Sequence, residues 1–265
     1  MPHITRKGVN VFYESFGQGS STLVFLHPWT TNHYIWAFQV NEFSRSHRCI
    51  VMDHRGHGQS DKPASGYAIG EMAADVVAVL DHAGVNKAVL VGNSIGGMIA
   101  MQAALDAPAR VQGLLILSSG TNFGAGAPPE MAEAMQKDWR GVFAGILSAS
   151  ISAKSKIERP EIVSFMDGCF RNETNFTEAV FWASAADPNG VFNWNITDQL
   201  KNIKAPTQII AGEEDGATPV AMNQFLADHI PGAKIKFYKD VGHFCQLEKP
   251  PAFNADLREF IARIA

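Results

Sequence analysis

A serine flanked by glycines two positions to either side, Gly92-Asn-Ser94-Ile-Gly96, followed by Gly97, lies between an apolar run at 88–91 and a helical pattern at 96–107. G-x-S-x-G between strand and helix is the pattern of a nucleophile elbow, a strained turn that projects the hydroxyl above a sheet while glycines let backbones approach. A serine hydroxyl is a poor nucleophile until a base takes its proton and a carboxylate holds that base in the right tautomer. The chemistry to look for is acyl transfer from Ser94, with a histidine and an acid further along the chain.

Of nine histidines, only His229 and His243 lie late enough for the chain order nucleophile, acid, base. His229 falls in a helical pattern just before Ile230-Pro231, where an imidazole suits the helix C-terminus. His243 lies in the loop Asp240-Val-Gly-His-Phe244, after the apolar run at 235–238, and is the candidate base. The acid is expected beyond the run at 207–211, in Gly212-Glu-Glu-Asp-Gly-Ala-Thr-Pro219. Asp215 is favoured, because Gly216 and Pro219 place it in a tight turn, with Glu213 and Glu214 solvated and Asp240 a rival close to His243. An oxyanion needs two backbone N–H donors. The residue after the nucleophile, Ile95, supplies one; in the early loop Leu26-His27-Pro28-Trp29, Pro28 has no N–H, so Trp29 is expected to supply the other. His27 is expected to brace this loop, and with Trp139, Trp182 and Phe244 it is also a substrate-binding candidate.

In Asp53-His-Arg-Gly-His57-Gly-Gln-Ser60, Asp53 and Arg55 are expected to pair. The two histidines of that segment lack a third ligand at a known spacing, so no metal is expected. No phosphate-binding loop or G-x-G-x-x-G occurs in the sequence, and the expected chemistry needs no cofactor.

The elements that must position these residues follow an alternating pattern. Runs at 22–26, 49–52, 88–91, 114–117, 207–211 and 235–238 are rich in Val, Ile, Leu and Phe and read as parallel strands covered on both faces, although Gln208 and Lys236 interrupt the last two. Helical patterns lie between or after them at 71–83, 96–107, 220–229 and 251–264, and an alternating stretch at 9–16 reads as an antiparallel edge hairpin. The predicted fold is α/β, with a mostly parallel central sheet flanked by helices, its core formed by 1–120 and 201–265. Residues 121–200 break the alternation and read as a helical cap; they carry ten of the 26 aromatic residues. Ligands of open α/β sheets bind at the C-terminal strand edge that such a cap would cover.

Composition narrows the partners. The chain has 265 residues, 46% of them hydrophobic, and a net charge of −4 with neither sign gathered into a block, which argues against disorder and against a nucleic-acid binder. No apolar stretch is long enough for a membrane span, the N-terminus reads as unprocessed, and Cys49, Cys169 and Cys245 form neither a disulfide framework nor a zinc spacing. A cytoplasmic location is expected. A small-molecule partner is expected, with the oligomeric state open to a homodimer.

Together, the early His-Pro-Trp loop, D-x-R-G-x-G-x-S, the serine elbow, the late acid and the late histidine resemble the α/β-hydrolase family over essentially the whole chain. The second half, with Ala186-Asp-Pro-Asn-Gly190, Ala205-Pro-Thr207 and Ile230-Pro-Gly-Ala233, looks most like 3-oxoadipate enol-lactonases and related bacterial esterases. The resemblance implies a serine-dependent hydrolase of esters or lactones with an apolar or aromatic portion. Gly92-Asn-Ser-Ile-Gly-Gly97 and His243-Phe-Cys-Gln-Leu-Glu248 are also similar to meta-cleavage-product hydrolases, which break C–C bonds with the same triad. Perhydrolase or haloperoxidase-like relatives share the Trp after the oxyanion His. A third reading is a ligand receptor built on the hydrolase scaffold.

Overall fold

The computed structural model describes residues 3–124 and 129–265. Its strands are β1 (His3–Arg6), β2 (Val9–Phe16), β3 (Thr22–Leu26), β4 (Arg48–Met52), β5 (Ala88–Asn93), β6 (Val111–Leu117), β7 (Thr207–Gly212) and β8 (Lys234–Tyr238). They form one sheet in the order β1-β2-β4-β3-β5-β6-β7-β8. The first two pairings, β1–β2 and β2–β4, are antiparallel, and all others are parallel.

Side chains of a strand alternate between the two faces of its sheet, so a run that is apolar throughout feeds two cores at once. In β3, Val24 and Leu26 enter one core while Leu23 and Phe25 enter the other; in β6, Leu114 and Ile116 oppose Leu115 and Leu117 in the same way. The first core takes residues of α2 (Ile69–His82), α3 (Ile95–Asp106) and α8 (Val220–His229). The second takes Phe43 of α1 (Ala37–Phe43) and Phe253, Leu257 and Phe260 of α10 (Pro250–Ile264). Among the described residues four α-helices stand between β6 and β7: α4 (Pro129–Ala149), α5 (Ala153–Glu158), α6 (Pro160–Arg171) and α7 (Glu178–Ala186). Their buried residues divide between the same two cores, with Trp139, Phe143 and Phe181 in the first and Ile162 and Met166 in the second. Among the described residues no helix is long and apolar enough to cross a membrane.

Two expectations need correction. The stretch 9–16 is a single strand; the hairpin is made with β1, which occupies the sheet edge and leaves β2 inside it. Arg55 pairs with Asp75 instead of Asp53, through Nε to Oδ2 at 2.7 Å and Nη2 to Oδ1 at 2.8 Å. Asp53 is already engaged by the backbone N–H and Nδ1 of His33 and the N–H of Gln59, all within 2.9 Å. Asp75 also accepts from Arg6 Nε at 2.6 Å, so it ties the edge hairpin and the loop after β4 to α2.

Asp75 and Arg55 are both buried, and deleting one member of a buried pair leaves the other charge uncompensated. Asp75→Ala is expected to cost about 3–5 kcal/mol, seen as a lower urea midpoint at unchanged slope.

Candidate active site

β5 runs directly into α3, and Ser94 between them has φ 56° and ψ −118°. A non-glycine residue at positive φ is strained and persists only where its surroundings over-determine it. Here they do. The Ser94 N–H donates to Leu117 O at 2.9 Å, and the flanking glycines are sterically obligatory. A Cβ on Gly92 would lie 2.2 Å from Gly96 O, and one on Gly96 would lie 2.1 Å from Leu26 O.

Asp215 follows β7 in a turn that its own carboxylate organises. Oδ1 accepts the N–H groups of Ala217 and Thr218 at 2.8 and 2.9 Å, and Oδ2 accepts the Thr218 hydroxyl at 2.5 Å and His243 Nδ1–H at 2.8 Å. Burial alone would raise the Asp215 pKa, but the charge and hydrogen bond of His243, with the bonds from Thr218, outweigh it and hold the carboxyl below its ordinary value. The rivals stand apart: Glu213 and Glu214 are exposed, and His229 ends α8 exposed, bonded to Phe225 O.

His243 follows β8 in a loop gripped from below by a residue that sequence reasoning did not single out. The buried Glu248 carboxylate accepts the N–H groups of Gly242 and Phe244, the two neighbours of His243, and that of Ser152, at 3.0 to 3.2 Å. An acid five residues after the candidate base, just before Lys249-Pro250, was the available signal. The thiols offer no rival nucleophile: burial pushes Cys49 and Cys169 up to about 12, and burial also raises Cys245.

Ile95 is the first residue of α3, so its N–H has no intrahelical acceptor. The other candidate donor is aimed by the peptide before it. Pro28 O accepts His27 Nδ1–H and the Thr31 hydroxyl, both at 2.8 Å. In a trans peptide the N–H lies opposite the carbonyl, so these bonds turn the Trp29 N–H away from the interior of the loop. The segment is held by neutral imidazoles. His27 Nε2 accepts the His54 N–H at 3.0 Å, His54 Nε2–H donates to His27 O at 3.0 Å, and His57 Nε2 accepts the Thr30 N–H at 3.2 Å. Burial lowers all three: His54 to about 4, His57 to about 3 and His27 well below its ordinary value, where the charges of His54 and His57 add to the effect.

Ser94, His243, Trp29, Phe244 and Trp182 line one cavity of about 740 Å³ beneath α4 and α7, together with Phe143 and Phe181. Two expected substrate contacts lie elsewhere. His27 is fully buried with Nδ1 engaged by Pro28 O and Nε2 by the His54 N–H, and Trp139 lies outside the cavity lining, packed against Phe170 and Phe181 at centroid distances of 5.5 and 4.4 Å. Trp29 is central to the wall, stacked on Phe181 at 5.0 Å and met edge-on by Phe143, Phe176 and Phe192.

With this sheet and this elbow, the chain belongs to the α/β hydrolase fold family, whose model matches residues 21–250. Among solved structures it is similar to Est816, described as an N-acyl homoserine lactone degrading enzyme, at 57% identity and a TM-score of 0.96, covering 98% of this chain and 100% of that one. A curated relative, 3-oxoadipate enol-lactonase 2 of Acinetobacter baylyi, is 29% identical over 254 residues, 95% of this chain and 92% of the relative. The meta-cleavage product hydrolase CumD of Pseudomonas fluorescens IP01 shares the fold at 21% identity and a TM-score of 0.81, covering 100% of this chain and 98% of that one.

Two outcomes are expected. Because the folded state keeps His27, His54 and His57 neutral, the unfolded chain binds more protons below about pH 6.5, and stability falls as pH falls. Urea unfolding should show a loss of about 1–2 kcal/mol per histidine between about pH 6.5 and 5, mostly before ordinary carboxylates titrate. Glu248→Gln, which loses the charged acceptor of those backbone N–H groups, should lower stability at pH 7.5 by roughly 2–3 kcal/mol in the same assay.

Proposed function

We propose that the protein is a serine hydrolase of carboxylic esters and lactones that works through a covalent acyl-enzyme. The observation that carries this reading is the 2.8 Å bond between Asp215 Oδ2 and His243 Nδ1, opening on the same cavity as the strained Ser94. His243 Nε2 takes the Ser94 proton as Oγ bonds to the substrate carbonyl carbon, and the carbonyl oxygen becomes an anion held by the N–H groups of Ile95 and Trp29. Asp215 keeps the Nδ1–H tautomer in place and stabilises the imidazolium. Collapse expels the alkoxide, which takes the proton from His243; water then adds with the same base, and Ser94 leaves with its proton restored. In a lactone the alkoxide stays tethered to the acyl group, so the chamber holds the opened chain while water enters.

The substrate reading rests on chamber and kinship together. A cavity of about 740 Å³ walled by aromatic side chains suits a lactone or ester with an apolar acyl arm, and the lactone activity ascribed to Est816 supports the lactone side. We read residues 121–200 as a cap domain whose side chains set specificity. The three cysteines are free and buried, which supports a reducing, cytoplasmic location.

Acyl homoserine lactones and p-nitrophenyl esters of rising chain length are expected to be turned over repeatedly. Ser94→Ala should reduce kcat by about 10³-fold or more, and a phosphonate should add its mass to the native chain only. Ester turnover by Ser94→Ala within about tenfold of native would sink the assignment. Turnover confined to a ring-fission product would favour C–C hydrolysis, and ligand-dependent association without turnover would favour a receptor.

A further inference from the structure

Asn223 lies in α8 and is fully buried, and it is absent from the cavity lining. Its amide joins two segments far apart in the chain. Oδ1 accepts the Ser119 N–H at 3.0 Å, and Nδ2 donates to Thr218 O at 2.9 Å. Each end continues toward a catalytic candidate. The Ser119 hydroxyl donates to the carbonyl oxygen of Ser94 itself at 2.8 Å, and Thr218 gives its N–H and hydroxyl to Asp215. A continuous hydrogen-bonded path therefore runs from the nucleophile's backbone to the acid through Ser119, Asn223 and Thr218, none more than 2% exposed.

Only an amide completes this path. A carboxylate could accept from Ser119 but would set a second acceptor against Thr218 O, and leucine would leave both partners buried and unsatisfied. The remaining glycine of the elbow segment belongs to the same device: a Cβ on Gly97 would lie 2.7 Å from Ser119 Oγ, so glycine there makes room for the hydroxyl that holds Ser94. The bond to Ser119 spans 104 residues, which distinguishes it from a local helix cap.

We propose that Asn223 is a positioning residue that fixes the nucleophile elbow and the acid turn relative to one another. This rests on the roles given above to Ser94 and Asp215. A positioning defect lowers the chemical step while leaving the chamber that binds substrate intact, and variants along one path are coupled instead of additive.

The test uses the full chain with Asn223→Leu, Asn223→Asp, Ser119→Ala and the double variant Asn223→Leu/Ser119→Ala, assayed on p-nitrophenyl butyrate, with Ser94→Ala as control. Asn223→Leu is expected to lower kcat by about 30-fold with KM within about twofold, and to slow labelling of Ser94 by a fluorophosphonate by a similar factor. Ser119→Ala is expected to lose roughly fivefold, and the double variant no more than Asn223→Leu alone. Should Asn223→Leu fail to fold, Asn223→Asp and Ser119→Ala carry the test, each with a loss in kcat and not in KM. A kcat for Asn223→Leu within about twofold of native, a loss confined to KM, or multiplicative losses in the double variant would overturn the proposal. An inactive Ser94→Ala beside an unimpaired Asn223→Leu removes only this inference, whereas an active Ser94→Ala removes the serine mechanism beneath it.

Discussion

The structure is organised around one strained residue. Ser94 has positive φ because β5 must stop, turn and become α3 within a single peptide, and the space for that turn exists only where Gly92, Gly96 and the end of β3 touch backbone to backbone. A local conformation that costs of order 1–3 kcal/mol survives because the strands around it are buried on both faces and cannot yield. The two cores thus hold the elbow still, and the loops after β3, β7 and β8 need only reach over the same sheet edge to meet it.

What could be read from the sequence follows from this. The interior parallel strands are mostly apolar because they feed both cores, so runs such as 22–26 coincide with β3, while Ser94, Asp215 and His243 are marked by the turns that follow such runs. Legibility fails where a side chain's partner is distant in sequence and nothing local selects it. Arg55 stands two residues from Asp53 yet bonds Asp75, because Asp53 is taken up by the loop's own N–H groups. Trp139 and Trp182 both look like pocket residues, and only the packing of α4 against α6 and α7 sends one beneath the wall and leaves the other on it. Glu248 and Asn223 each hold other residues' backbone N–H or C=O groups, a task that residue type does not reveal; only the position of Glu248, five residues after His243, hints at its role.

The histidine cluster is a polar network that works only while uncharged. Two of its rings accept backbone N–H groups, an arrangement that protonation at those nitrogens would abolish, and none has solvent within reach to compensate. The loop bearing Trp29 is therefore built from residues usually chosen for their readiness to ionise, with His27 and His57 used as neutral amide-like bridges of one donor and one acceptor each, and His54 as a donor alone.

The chamber wall and the folding core are partly the same atoms. Phe143 and Phe181 face the cavity while also belonging to the core shared with α2 and α3, whereas Trp182 and Phe192 line it from positions only partly buried. Evolution toward new substrates meets unequal resistance along this wall: changes at Phe143 or Phe181 draw down the stability margin of the whole chain, while Trp182 and Phe192 can drift at little cost. Divergence among relatives with different substrates should accordingly accumulate first along the loosely packed side of the chamber.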